Sequence, residues 1–516
     1  MGALTDTLLG SVLATLSAVG GIPGAIVLAA VGYTLYVAIY NRYFHPLRHI
    51  PGPLYSTMFQ GMATWDSAKM RSPLHLLELH EQYGPIVRYE PQRLSYADHN
   101  ALRTIYSTHS FPKASLYTSF DIGKMHQIFS TVDVDTSKKR KRMLGPSFGA
   151  ANISQLEELI HQVGPQMTVD RLNLQYRRQS GDFMTVDLYN IFFEMTFGVI
   201  GRLAFGKQMI SVDDDLFSLR IVQLIKAMDK GMLSQFCLPR WSWDIARDMF
   251  GMKPLVDFKE LVVYASESIL ERRKLIESGE KVPSDLLQML MDAVDPETGD
   301  VLTHSETAAE LIILCFAGVD TSSNTLTWTL DQLFQHPGAM ARLEAEVLEA
   351  FPDKSERITY KVAKDSLPFM DAVLLEAMRM RTVGGEILSR VVPEGGREVG
   401  GIFVPGGYEV GISSHVMHNY SEFWDDPEQF RPERYLEGTP DEIAANRQKV
   451  IPFSVGVRSC IGRQLALVEL VVGLATLIQQ FEIKPAEQPY VPLEMQSAFV
   501  MSPTSKSLMA KIRPRK

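Results

Sequence analysis

The most chemically distinctive residues lie in the stretch PFSVGVRSCIGRQLALVEL, residues 452–470, where Phe453, Gly456, Arg458, Cys460 and Gly462 fall in the pattern F-x-x-G-x-R-x-C-x-G. Cys460 ends a glycine-containing loop and directly precedes an amphipathic helix pattern. Backbone N–H groups at a helix N-terminus favour an anion, so this cysteine is suited to be a thiolate ligand. Gly456 lets the loop fold tightly beneath a flat cofactor, and Gly462 lets backbone approach it. Arg458 offers a guanidinium to carboxylates on such a cofactor. The plainer reading, a buried structural cysteine, suits Cys237 and Cys315. Three cysteines without a C-x-x-C pair give neither a disulfide framework nor a zinc site, and fit a reducing compartment.

Two further groups stand upstream. In LLEAMRM, Glu376 and Arg379 are three apart on a helix and share a face. Apolar neighbours predict that the pair is buried, which calls for further hydrogen bonds. Arg434 in FRPERY is a candidate donor. In FAGVDTSS, Ala317, Gly318, Asp320 and Thr321 lie midway along a long apolar run. A Thr321 hydroxyl bonded to a carbonyl one turn back would open the helix locally.

Together these residues resemble the cytochrome P-450 superfamily, and the proline-rich YFHPLRHIPGP near the N-terminus resembles the anchor–hinge junction of its fungal microsomal members. The resemblance spans essentially the whole chain. It implies haem b held by the Cys460 thiolate, whose electron donation favours O–O cleavage in bound O2. Phe453, Gly456, Arg458 and Gly462 would form the haem loop, with Arg390 and Lys141 at the propionates. Ala317 and Gly318 would line the oxygen side, Gly318 leaving room for dioxygen, while Asp320 and Thr321 deliver protons. Glu376, Arg379 and Arg434 would form a structural network. The implied reaction inserts one oxygen atom into a lipophilic molecule, a terpenoid or polyketide intermediate of fungal secondary metabolism.

The chain departs from the family pattern in places. Ser137 and Lys141 stand where the family usually has Trp or His and then Arg, and Thr382 stands where proline is common. A haem-thiolate isomerase or dehydratase, or a non-catalytic membrane haem protein, would use the same loop; the Asp320–Thr321 pair favours oxygen activation. No G-x-G-x-x-G signature accompanies a βαβ unit, so electrons are expected from a separate NADPH-dependent reductase, with cytochrome b5 as a second donor. The basic run Lys138–Arg142 is a candidate docking patch for that donor or an ordinary solvated helix face. Residues 111–125, 310–317, 383–387 and 498–501 are the candidate pocket segments; Glu386 among them reads as a solvent-facing carboxylate, the alternative being a group that orients a polar part of the substrate.

These residues need elements to position them. Thr303 and Glu306 form a capping box opening a helix that runs to about Gln335, where HPG stops it. Its length, roughly 48 Å, would cross a whole domain. Residues 85–98 read as a hairpin, and residues 397–413 as another with Gly406 and Gly407 in the turn. The expected fold is mainly α with minor β (α+β), one large haem domain over residues 46–516, preceded by a membrane anchor over residues 1–45.

No charge lies between Asp6 and Arg42, and Ile22 to about Tyr40 is the best span. A cleaved signal peptide is disfavoured, since no basic residue precedes the apolar run. Arg42 and Arg48 follow it, which orients a single-pass protein with its catalytic domain in the cytosol, at the endoplasmic reticulum membrane. Apolar residues make up 46% and charged residues 22% of the chain, the balance of a folded protein. A net charge of -9 argues against nucleic acid as partner. The protein is expected to be monomeric.

Overall fold

The structure, a computed structural model, describes residues 22–122, 125–209, 222–225 and 258–516. Cys237, residues 3–19 and the rest of the segment before Ile22 lie outside the described residues, as do residues 123 and 124 of one expected pocket segment. Helix α1, Ile22–Ile39, continues into a π-helical turn, Tyr40–Phe44. Among the described residues, one helix, Gly24–Phe44, is long and apolar enough to cross a membrane. Its outward face includes Ile26, Val27, Val31 and Leu35, all more than half exposed. Prolines 46, 51 and 53 then stop helix formation, as a missing N–H and a fixed φ require.

Short helices α2 (Leu54–Met58) and α3 (Met62–Ala68) precede α4 (Ser72–Tyr83). The hairpin expected over residues 85–98 is present, β1 (Ile86–Glu90) pairing antiparallel with β2 (Arg93–Tyr96). Helix α5 (His99–Tyr106) follows, then α6 (Val134–Leu144), which carries the basic run. Strand β3 (Met184–Asp187) leads into α7 (Leu188–Phe205), and α7 packs along α8 (His304–Gln335). The Thr303–Glu306 capping box starts α8, and it ends at the HPG sequence, so the expected and observed bounds agree.

After α8 come α9 (Pro368–Met380), then β4 (Arg390–Val391), β5 (Arg397–Val399), β6 (Ile402–Val404) and β7 (Glu409–Gly411). Here the expected second hairpin is corrected. β5 pairs with β6 in the register Arg397↔Val404, so the turn falls at Gly400–Gly401, not at Gly406–Gly407. β7 instead joins β2 in parallel and β4 antiparallel, completing the sheet β1-β2-β7-β4. A parallel partner over 300 residues distant leaves no local mark in the sequence. Helix α10 (Arg463–Gln480) leads into β8 (Phe481–Pro485), β9 (Met495–Ala498), β10 (Val500–Pro503) and β11 (Met509–Pro514). These C-terminal strands were not expected: β11 lies between β3 and β8, with Ala510 and Ile512 buried in the core and Met509 and Lys511 facing out.

The core is built on α8 and α10. Phe316, Val319, Leu465, Val468 and Val472 belong to one cluster with Phe193, Phe197 and Ile200 of α7. A second cluster joins the other halves of α8 and α10 to α9, through Leu326, Leu330, Val373 and Leu474.

Candidate active site

Along α8, every residue from Thr307 to Phe334 is buried except Ala317, Gly318 and Thr321. The spacing i, i+1, i+4 puts these three on one face. A helix sealed on all other sides is thus open at one window, where the sequence placed its oxygen-side residues. The Thr321 hydroxyl donates to the Ala317 carbonyl at 2.7 Å, one turn back, as expected. Asp320 is buried beside it. At Gly318 a Cβ would press on the Ile200 side chain at 3.2 Å, so the glycine also lets α7 approach α8.

The loop before α10 is accessible in the same way. Cys460 keeps accessible surface although protein crowds around it. Its backbone N–H donates to Phe453 O at 2.9 Å, closing the loop. Gly456 has φ of 75°, and a Cβ there would collide with the Tyr106 carbonyl, so no other residue fits without displacing α5. Next to Gly462 a Cβ would meet only the Cys460 sulfur, at 4.0 Å. Burial pushes the Cys460 thiol pKa up, against the pull of the Gly462 and Arg463 amides and of Lys141. Helix-end N–H groups alone therefore do not make the thiolate; a coordinated metal ion would.

Four cations gather beside this loop without a carboxylate partner among the described residues. Lys113 and Arg390 face each other across an isolated antiparallel bridge. Lys113 Nζ donates to Phe129 O at 2.6 Å and lies 4.4 Å from the Tyr117 ring centroid. Arg390, buried, donates to Ser389 O at 3.0 Å, with its guanidinium 4.9 Å from the Tyr106 ring. Arg458 reaches only Thr131 O and Asp133 O, at 3.4 Å each. Burial, then the charges of Arg390 and Arg458, hold the Lys113 ammonium well below the ordinary lysine value. Three buried or half-buried cations that repel one another make a cradle for a dianion, which is what two haem propionates supply. Lys113 was missed in the sequence, where a lone lysine in FPKAS carries no signal.

Lys141, the fourth cation and expected at a propionate, is engaged with the cysteine loop. Its Nζ donates to Val457 O at 3.0 Å and lies 3.5 Å from Ser459 Oγ, so it braces the cysteine loop. The rest of the basic run is also engaged. Lys138 pairs with Asp135, Lys139 with Asp300, Arg140 with Glu306, and Arg142 with Asp295 and Glu297. With four of its five charges met by acids of its own chain and Lys141 held on the cysteine loop, α6 does not present five free cations for docking.

Glu376 and Arg379 are wholly buried. Glu376 Oε2 accepts from Arg379 Nε at 2.8 Å and from Tyr435 OH at 2.8 Å. Its Oε1 accepts from Arg379 Nη2 at 2.9 Å, Arg434 Nε at 3.2 Å and the Arg431 amide at 3.1 Å. Arg379 then donates to His418 O at 2.9 Å, and His418 Nε2 accepts the Ile451 amide at 2.7 Å. His418 is neutral, its pKa driven far down by burial and by Arg379. Since Nε2 accepts, Nδ1 carries the proton and meets Thr382 Oγ1 at 2.8 Å. Thr382 thus does hydrogen-bonding work that a proline could not. His418 links the Glu376 network to the residue two before Phe453, a role that nothing in SSHVMHNY announces.

One more buried carboxyl ties the two central helices. Ser322 Oγ donates to Glu469 Oε2 at 2.7 Å, from α8 to α10, and burial pushes the Glu469 pKa up to about 8. A carboxyl with a raised folded pKa favours folding fully below pH 4.5 and loses that contribution as pH rises through about 8. The stability of Glu469→Gln relative to the native chain is therefore expected to grow by on the order of 5 kcal/mol across that window. Thermal unfolding of the haem-loaded pair as a function of pH checks it; parallel curves would remove the argument.

Comparison with known proteins agrees with this geometry. A family model described as Cytochrome P450 matches residues 51–510. The chain belongs to the cytochrome P450 family. Relatives include cytochrome P450 monooxygenase helB1 of Aspergillus fumigatus, 27% identical over 89% of this chain and 78% of that protein. The P450 monooxygenase ABA2 of Pyricularia oryzae is 29% identical, over 89% of this chain and 88% of its own. The crystal structure of a cytochrome P450DA heme domain superposes with a TM-score of 0.75, over 90% of this chain and 98% of that one, at 23% identity, and so shares the fold. This P450 is a monooxygenase, and its family implies haem with a cysteine thiolate, O2 and a redox partner.

Proposed function

We propose that this P450 is a membrane-anchored monooxygenase carrying out R–H + O2 + two electrons + two protons → R–OH + H2O on a lipophilic small molecule. The open window at Ala317, Gly318 and Thr321 on a helix otherwise buried carries the reading. When bound, haem supplies reductive activation of O2 and the oxidising equivalent, with the thiolate's electron donation favouring O–O cleavage. Cys460 would ligate the iron. Arg390, Arg458 and Lys113 would meet the propionates, and Phe453, Gly456 and Gly462 would shape the loop, braced by Lys141. Thr321 and Asp320 would hold and pass protons at the window, where a hydroxyl and a carboxyl are adjacent on the helix. Glu376, Arg379 and Arg434 would keep the loop in place.

Electrons would come from NADPH through a separate reductase, with cytochrome b5 as a second donor to a monomeric P450. Residues 1–45 would anchor it in the endoplasmic reticulum membrane, with the catalytic domain, 46–516, on the cytosolic side. Exposed Leu54, Phe59 and Trp65, just past the anchor helix, suit contact with that lipid surface. The fungal origin of the relatives supports a terpenoid or polyketide intermediate as substrate. The aromatic side chains of Phe120, Phe129 and Phe499, with ring centroids 4.7–5.7 Å apart, suit an apolar skeleton.

Expression with a reductase, and metabolite profiling against Thr321→Ala, tests this. The variant is expected to bind haem as the native chain does, to consume NADPH, and to form roughly tenfold to a hundredfold less product. Product formed without O2 would favour an isomerase or dehydratase instead.

A further inference from the structure

Glu386 sits in the wall of a cavity lined also by Tyr55, His75, Leu116, Phe120 and Phe499. It does not face solvent as its charge suggested. Ser72 Oγ, at the start of α4, donates to Glu386 Oε2 at 2.9 Å, and Ser497 Oγ, on β9, donates to Oε1 at 2.7 Å. Among the described residues no cation pairs with it. The other charged groups of the cavity have their own partners: His75 with Asp66 at 2.8 Å, and Arg93 with Glu409 at 3.1 Å. Glu386 is thus a carboxyl fixed from two sides in an otherwise largely apolar wall. Each oxygen has taken one serine donor and keeps one lone-pair site for another.

We propose that Glu386 is a specificity-determining residue that accepts a hydrogen bond from a hydroxyl group on the substrate, and that the substrate is an apolar skeleton carrying such a hydroxyl away from the oxidised carbon. The inference rests on the monooxygenase reading and adds the substrate's polar group to it. A buried acceptor left without a donor is costly, so the site discriminates against a molecule that cannot donate there. It also rejects a substrate carboxylate, which would set two acids against each other. Burial pushes the Glu386 pKa up, and a hydroxyl suits either protonation state because it both donates and accepts.

The test compares dodecanol, its methyl ether and dodecanoic acid, each bound by equilibrium dialysis to the haem-loaded full chain and to its Glu386→Leu and Glu386→Gln variants. The native P450 is expected to hold dodecanol about tenfold tighter than the ether or the acid. Glu386→Leu should bring alcohol and ether within about twofold, and Glu386→Gln should retain part of the preference. Equal affinity for alcohol and ether in the native chain, tightest binding of the acid, or an undiminished preference in Glu386→Leu would each overturn it. The carbon monoxide spectrum of every reduced variant reports separately on the haem site. Its loss in the native chain would strike the monooxygenase reading, while dialysis still decides the role of Glu386.

Discussion

Replacing Cys460 by alanine is expected to abolish the carbon monoxide band of a thiolate-ligated haem and to lower product formation by more than about a thousandfold. The reason is the position of the sulfur. It is accessible, and the Gly462 and Arg463 amides do not offset the burial that raises its pKa. A coordinated metal ion would supply the missing charge, and of the two cysteines among the described residues Cys460 is the accessible one; Cys315 is buried on α8 with its thiol pushed above its ordinary range by burial. The loop itself is held by backbone, through the Cys460 amide on Phe453 O and Gly456 against Tyr106, so alanine leaves its shape intact. A reduced-minus-oxidised comparison with carbon monoxide on Cys460→Ala and Cys315→Ala gives the check. Identical spectra in Cys460→Ala and the native protein would end the assignment.

The second large effect is expected at Glu376. Glu376→Ala removes five hydrogen bonds from one carboxylate and leaves Arg379 and Arg434 buried without their counter-charge. Breaking one partner of a buried pair costs about 3–5 kcal/mol, because the orphaned charge stays out of water. Arg379 also holds His418, and His418 holds Ile451 at the root of the cysteine loop. The loss should therefore reach the haem. Reduced haem-to-protein ratio and a lower unfolding midpoint are expected together. Tyr435→Phe, which removes a single donor, should cost only about 1 kcal/mol. A Glu376→Ala protein with native stability and full haem content would show that the network does not carry the loop.

The elements that position this chemistry were unevenly legible. Helix α8 could be read to its ends because a capping box and a proline act locally. The hairpin of residues 86–96 was legible for the same reason, whereas β7 and β11 each also pair with a strand more than 300 residues away. The Glu376–Arg379 pair was visible as a helical spacing, but its further donors Tyr435 and the Arg431 amide were not. Charge was the least reliable guide. Lys138–Arg142 looked like a free basic face, yet Asp295, Asp300 and Glu306 from other elements meet it. Glu386 looked like a surface acid, yet Ser72 and Ser497 enclose it from two distant segments.

By itself the sequence determined the ligand loop, the window residues on one helix face and the length of the helix that carries them. Each depends on contacts within a turn or a short loop, where residue identity and spacing fix the geometry. The tertiary structure alone decided which charges are free. Among the described residues it left Lys113, Lys141, Arg390 and Arg458 without acids and paired the other four cations of α6, because ion pairing in a folded chain depends on which distant segments packing brings within about 4 Å.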